Sequence, residues 1–213
     1  MIDMGKNAVL QEAGWQLGTG ESVWVKRALL VIAGIAVLMV AAKLKVAVPP
    51  SPVPVTMGTF AVLTIGAAYG PRLGLVTILG YMLLGYLGLD VFAGSSATKF
   101  GWAYMQGGTG GYLVGYVLAT LALGYAAFKG WDRNVLTMAL ALLVGNVLIY
   151  VPGVAWLYHL VANGLFDPAK FASAWAQTLQ WGITPYLIGD AMKLALAALL
   201  LPAVWKVVGS ART

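Results

Sequence analysis

The sequence predicts an all-α integral membrane protein of six transmembrane helices, and three observations predict it. Only 9% of its 213 residues are charged and 61% are apolar, at a mean hydropathy of +0.85, whereas a soluble domain is about one-quarter charged. The apolar residues fall in long runs that approach the roughly 20 residues a helix needs to cross a bilayer core. Between the runs stand prolines, glycines and basic residues singly or in pairs, the marks of short connecting loops. The 27 glycines suit close helix packing in a membrane, and the absence of cysteine excludes a disulfide framework or a thiolate metal site. The net charge of +6 does not point to nucleic acid, because the thirteen basic residues are scattered. They read as topology determinants.

Residues 1–24 read as a cytoplasmic tail, with room for a small interfacial helix. Asp3, Lys6, Glu12 and Glu21 interrupt any apolar core that a signal peptide would need. Residues 25–213 form one transmembrane ligand-binding domain. Its first span follows Lys26 and Arg27, covers Ala28–Ala42, and reaches toward Val48 if Lys43 and Lys45 snorkel. Pro49, Pro50, Pro52 and Pro54 then forbid regular helix and leave an extended loop, a connector or a lid. A second span runs Thr56–Tyr69, Pro71 and Arg72 make a tight turn, and a third span covers Leu73–Leu89. After an irregular stretch from Asp90 to Gly108, the fourth span is Thr109–Phe128. The fifth runs from Val135 to about Leu157. Asp167-Pro168 reads as a cap and first-turn proline of a short interfacial helix with Phe171, Trp175 and Leu179 on one face. Thr184-Pro185 opens the sixth span, which ends near Trp205 and Lys206.

With both termini cytoplasmic, the inner segments hold Lys6, Lys26, Arg27, Arg72, Lys129, Arg133, Lys206 and Arg212, and the outer segments only Lys43, Lys45, Lys99 and Lys170. That excess sets the orientation. No phosphate-binding loop is present, so energy for uphill transport has to come from a partner or an ion gradient.

The residues most in need of explanation are Asp190 and Lys193. Three apart on the sixth span, they share a helix face, roughly 8 to 12 Å along the helix counted from Pro185. A charge at bilayer depth costs about 2.5–3.5 kcal/mol on insertion scales. The two either neutralise each other or form a ligand site with one anionic acceptor and one cationic donor. Gly107, Gly111, Gly115 and Ala119 recur every fourth residue, the small-residue ridge that lets two helix backbones meet. The glycines at 107, 108, 110 and 111 also leave space for a ligand. His159 reads as interfacial, and Asn146 as a hydrogen-bonding residue inside the fifth span.

Five motifs in order carry a resemblance: Pro52-Val53-Pro54-Val55-Thr56; Gly85 through Leu89 leading to Val91-Phe92-Ala93-Gly94; Gly107-Gly108-Thr109-Gly110-Gly111-Tyr112; Gly145-Asn146 with Tyr150; and Gly189-Asp190-Ala191-Met192-Lys193. Together they resemble the BioY family, the biotin-binding S components of energy-coupling-factor transporters. The resemblance implies a six-helix S-component bundle, biotin as transported ligand with no cofactor, and a partner module of a transmembrane coupling subunit and two ATPases. It implies ligand contacts from Asp190 and Lys193, with Thr56, Phe92, Gly94, Thr109, Gly110, Tyr112, Asn146 and Tyr150 as further candidates. Gly58, Asp90 and Gly108 stand where the family carries Gln, Pro and Pro. The two alanines four apart on the family's first helix are missing, since Ala33, Ala36, Ala41 and Ala42 never pair at that spacing. That absence leaves open a transporter that works alone or as a homo-oligomer.

Other classes fit less well. An S component for thiamine would face a cationic ligand with Lys193, and riboflavin remains a second vitamin alternative. A six-span serine protease needs a G-x-S-x-G turn, which Gly94-Ser95-Ser96-Ala97 lacks, and His159 has no evident partner. Aspartyl or metal chemistry needs clustered ligands, yet the spans offer only Asp190. A purely structural protein would not carry a buried charged pair.

Overall fold

The computed structural model describes residues 9–10, 21–46, 55–96 and 98–210. Seven helices account for most of them: α1 (Glu21–Lys43), α2 (Gly58–Tyr86), α3 (Gly101–Met105), α4 (Gly110–Phe128), α5 (Val135–Leu160), α6 (Ala174–Gly182) and α7 (Leu187–Ser210). Two short antiparallel strands, β1 (Lys45–Val46) and β2 (Val55–Thr56), place Lys45 opposite Thr56. A 3-10 turn, Trp131–Arg133, joins α4 to α5, and a π turn, Val161–Leu165, ends α5. The proline run, with its possible role as a lid, lies outside the described residues, as does most of the N-terminal tail.

Five helices among the described residues are long and apolar enough to cross a membrane. Their outward faces are apolar: Ile32, Val40, Leu136, Ile188 and Leu199 are each at least 60% exposed. In water such a surface would aggregate; in lipid it is the expected one. The 29-residue α2 would be about 43 Å long if straight, more than a bilayer core needs. It is not straight. Gly70 has φ +74 and ψ 178, outside helical space, and Pro71 follows it. A β-carbon on Gly74 would lie 3.6 Å from the Cα of Gly66, whereas residues eight apart in one helix stand about 12 Å apart along the axis. The chain therefore folds back at Gly70, and α2 is a helical hairpin. The expected Pro71–Arg72 turn is where the sequence placed it.

Small residues let α4 pack between α2 and α5. A β-carbon on Gly111 would come 2.2 Å from the carbonyl oxygen of Pro152, and one on Gly115 would come 2.6 Å from the Cα of Ile149. Ala119, next on the ridge, has no exposure. From Gly111 onward the ridge acts structurally, as its spacing predicted; Gly107, its expected first member, lies in the turn before α4, where an added β-carbon would meet Tyr104 and Lys99.

Several boundaries differ from the sequence reading. The first span begins at Glu21, ahead of Lys26 and Arg27, and gives way to β1 at Lys45 instead of continuing toward Val48. Val9 and Leu10, read as tail, are buried in the core. Asp167 does not cap a helix: its Oδ1 accepts from the Ala169 amide in a turn, and Ser173 caps α6 by accepting from the Ala176 amide. The short helix expected to carry Phe171, Trp175 and Leu179 on one face starts later than expected, at Ala174. Phe171 precedes α6 and Trp175 is half-exposed. The buried face carries Gln177, whose side chain donates to the Leu165 carbonyl (2.7 Å) and accepts from the Asp167 amide (2.9 Å). Two hydrogen bonds to loop backbone outweigh an apolar stripe that lipid can cover equally well.

At the end of the bundle that holds Gly70, Asp132 is fully buried. It accepts a hydrogen bond from Trp205 Nε1, while its Oδ1 has no hydrogen-bond partner among the described residues. Burial pushes its carboxyl above the usual carboxylate range. The folded state therefore binds a proton more readily than the unfolded state. That contribution is complete below the unfolded value and is lost as pH rises through the folded one. Asp132→Asn keeps an acceptor for Trp205 and removes the charge. It is expected to raise the unfolding temperature in detergent at pH 8 and to leave it nearly unchanged at pH 3.5. A variant less stable than the parent at both pH values would refute this.

Candidate ligand site

Asp190 lies in the first turn of α7, where the positive end of the helix dipole favours a carboxylate. It is not deep by helix length, because α7 begins only at Leu187 and not near Pro185. It is buried by what surrounds it: Tyr112, Tyr150, Tyr186 and Lys193 line the same cavity. The side chains of Asp190 and Lys193 are only 8% and 10% exposed. The Asp190 Oδ1 accepts from Lys193 Nζ at 2.9 Å, and its Oδ2 accepts from the Tyr150 hydroxyl of α5 at 2.5 Å. Lys193 Nζ also donates to Thr59 Oγ1 of α2 at 3.3 Å. One network thus joins α2, α5 and α7.

Neither charge is saturated. A carboxylate offers about four acceptor positions and an ammonium three donors. Asp190 uses two side-chain acceptor positions and Lys193 two donors. Two acceptor positions and one donor remain for a ligand. They face a cavity of about 40 Å³ lined by Thr56, Thr59, Tyr112, Ile149, Tyr150, Tyr186, Asp190 and Lys193, room for two or three water molecules. The aromatic walls are fixed. The Tyr112 hydroxyl donates to the Gly182 carbonyl at 2.8 Å, and its ring meets Tyr150 edge-on, with centroids 6.2 Å apart.

Of the ten residues expected from the sequence, five line this cavity: Thr56, Tyr112, Tyr150, Asp190 and Lys193. The other five lie elsewhere. Phe92 is buried between Tyr81 and Tyr104, stacked on Tyr104 with ring centroids 5.0 Å apart, and the Gly94 amide donates to the Tyr104 hydroxyl. Thr109 precedes α4 and hydrogen-bonds Tyr104. Gly110 is held against Met105, whose carbonyl oxygen would lie 2.0 Å from an added β-carbon. Asn146 sits one turn before Tyr150, its Oδ1 buried with no partner. Sequence reasoning missed Thr59, Ile149 and Tyr186. The signal for one of them is helical spacing: Tyr186 is four before Asp190, with its carbonyl accepting from the Asp190 amide.

Beside the cavity, β1 and the 90–95 loop are held together. Lys43 Nζ donates to Asp90 Oδ1 at 2.6 Å and to the Phe92 carbonyl at 2.8 Å, and Lys45 Nζ donates to the Ala93 carbonyl. The Lys43 ammonium, followed by the Ser95 hydroxyl, holds the Asp90 carboxyl below the usual range. The pair is largely exposed, so it positions the loop more than it stabilises the fold. Because Thr56 pairs with Lys45, this latch reaches the cavity wall through one β-bridge.

Comparison with known proteins places this architecture. The chain is 33% identical over 175 residues to a probable biotin transporter BioY of Pyrococcus horikoshii, covering 82% of this chain and 93% of that one. It is 30% identical over 171 residues to the biotin transporter BioY of Thermotoga maritima, covering 80% and 92%. A crystal structure of the S-component for biotin from an ECF-type ABC transporter has the same fold, at a TM-score of 0.71 over 89% of this chain and 95% of that one, with 19% identity. The BioY family profile matches residues 11–210. The chain, with its paired charges held between three helices, belongs to the BioY family.

Proposed function

We propose that this chain captures biotin at the outer face of a bacterial cytoplasmic membrane, as the substrate-specific subunit of an energy-coupling-factor transporter. It is a transporter component and not an enzyme, and biotin is its cargo with no cofactor. The observation that carries this reading is the unsaturated Asp190–Lys193 pair facing an aromatic-walled cavity. Biotin has two ureido N–H donors for the two free acceptor positions of Asp190, and a tail carboxylate for the free donor of Lys193. Charge-assisted bonds of this kind are about twice as strong as neutral ones. The cavity of about 40 Å³ is smaller than the vitamin, so binding separates its walls.

The fold-back at Gly70 supports six crossings, and the basic residues near Gly70 support cytoplasmic termini with the Asp190 end outside. The direct test is binding of labelled biotin by the purified protein, with thiamine and riboflavin as competitors. Saturable binding displaced by neither vitamin is expected; no biotin binding overturns the proposal. Lys193→Ala is expected to weaken biotin about tenfold more than biotin carboxamide, the value of roughly one charged hydrogen bond. Equal weakening of both would mean that Lys193 does not read the carboxylate.

The partners follow from the same reading: a transmembrane coupling subunit and two ATPases. The missing alanine pair on α1 favours a second reading, uptake by this chain alone or as a homo-oligomer. Uptake of labelled biotin by cells with and without the coupling module separates the two.

A further inference from the structure

At the end of the bundle opposite Asp190, a second and much larger cavity opens between α1, the Gly70 turn and the end of α4. Its volume is about 790 Å³. Two guanidinium groups line it, Arg27 from α1 and Arg72 from the turn. Arg27 lies over the Trp24 ring at 5.5 Å. Neither arginine forms an ion pair with a carboxylate among the described residues. From the arginines the cavity continues along both helices toward the middle of the bundle, past Val31, Ile32 and Val76. Ile32 and Val76 are more than half exposed on the lipid-facing surface. The site is therefore cationic at the membrane edge and apolar below it.

We propose that this groove is a binding site for one anionic phospholipid, with its headgroup phosphate between Arg27 and Arg72 and an acyl chain along Val31, Ile32 and Val76. Guanidinium forks match phosphate oxygens in geometry and charge. Basic pockets between membrane helices are where acidic headgroups bind. Besides the two arginines, the segments at this end carry Lys26, Lys129, Arg133 and Lys206, against Glu21 and Asp132 in the sequence of the same segments. A free anion would use the arginines but not the apolar wall, and a zwitterionic lipid would use the wall but gain little from the arginines. Only an anionic amphiphile uses both. The site shares no residue with the Asp190 cavity, so it stands or falls independently of the biotin reading.

The test is native mass spectrometry of the full-length protein in detergent with equal amounts of phosphatidylglycerol and phosphatidylcholine. The parent protein is expected to retain one phosphatidylglycerol in about tenfold preference, as two surface arginines allow. Arg27→Gln/Arg72→Gln is expected to abolish the preference. Val76→Trp, which fills the apolar wall and keeps both arginines, is expected to weaken retention of phosphatidylglycerol. Equal retention of the two lipids by the parent overturns the proposal, and so does a preference that survives the double substitution. Displacement of phosphatidylglycerol by equimolar inorganic phosphate would show a headgroup-only site and overturn it too, as would a dimer whose formation excludes the lipid. If the double variant does not fold, Val76→Trp decides: unchanged retention refutes the site.

Discussion

Asp190→Asn is expected to lower biotin affinity by roughly 10- to 100-fold, the loss of charge-assisted hydrogen bonds worth about 1.5–3 kcal/mol. It is also expected to destabilise the protein, since Lys193 is left as a buried ammonium without its counter-ion. Breaking one side of a buried pair costs roughly 3–5 kcal/mol. These two losses have different causes, and a second variant separates them. Asp190→Asn/Lys193→Met removes both charges and leaves no uncompensated ion, so most of the stability should return. Binding should not return, because the charged acceptor for the ureido group and the donor to the tail carboxylate are both gone. Titration with biotin and thermal unfolding of the single and double variants read the two quantities. If the double variant regained affinity along with stability, neither charge would contact the ligand, and the pair would only neutralise itself.

How much of this site was legible in the sequence follows from which interactions are local. Asp190 and Lys193 are three apart on one helix, so their contact is a consequence of helical geometry alone, and it is found at 2.9 Å. The Gly111–Ala119 part of the ridge is equally local, and it packs as its spacing requires. Tyr150 and Thr59 are different. Their bonds to the pair span 40 and 134 residues, and only tertiary packing decides that these hydroxyls reach one carboxylate and one ammonium. Phe92 and Gly94 show the converse. Their motif lies outside the Asp190 cavity, and its aromatic ring fills a gap between Tyr81 and Tyr104. The short amphipathic helix was found as α6, but it starts after Phe171. Where lipid can cover an apolar face, apolar periodicity no longer says which face points inward, and Gln177 turned inward because only protein could satisfy its amide.

The second large effect lies on the ridge, remote from any charge. Gly115→Val places a β-carbon 2.6 Å from the Cα of Ile149 and 2.7 Å from its carbonyl oxygen. Both are backbone atoms that cannot rotate away, so α4 and α5 must separate. Overpacking of a closed interface costs about 1–3 kcal/mol, and more when backbone has to move. Ile149 and Tyr150 are the residues displaced, and both line the cavity. The hydroxyl that holds Asp190 moves with them. Biotin affinity is therefore expected to fall about tenfold or more, in step with the lost hydrogen bond, along with a lowered unfolding temperature. Gly164→Ala is the control. It lies in the turn after α5, and nothing stands within 4 Å of an added β-carbon, so neither quantity should change. Equal behaviour of the two variants would show that the α4–α5 contact yields to a side chain. The small residues of α4 would then have to be explained by something other than the placement of Tyr150.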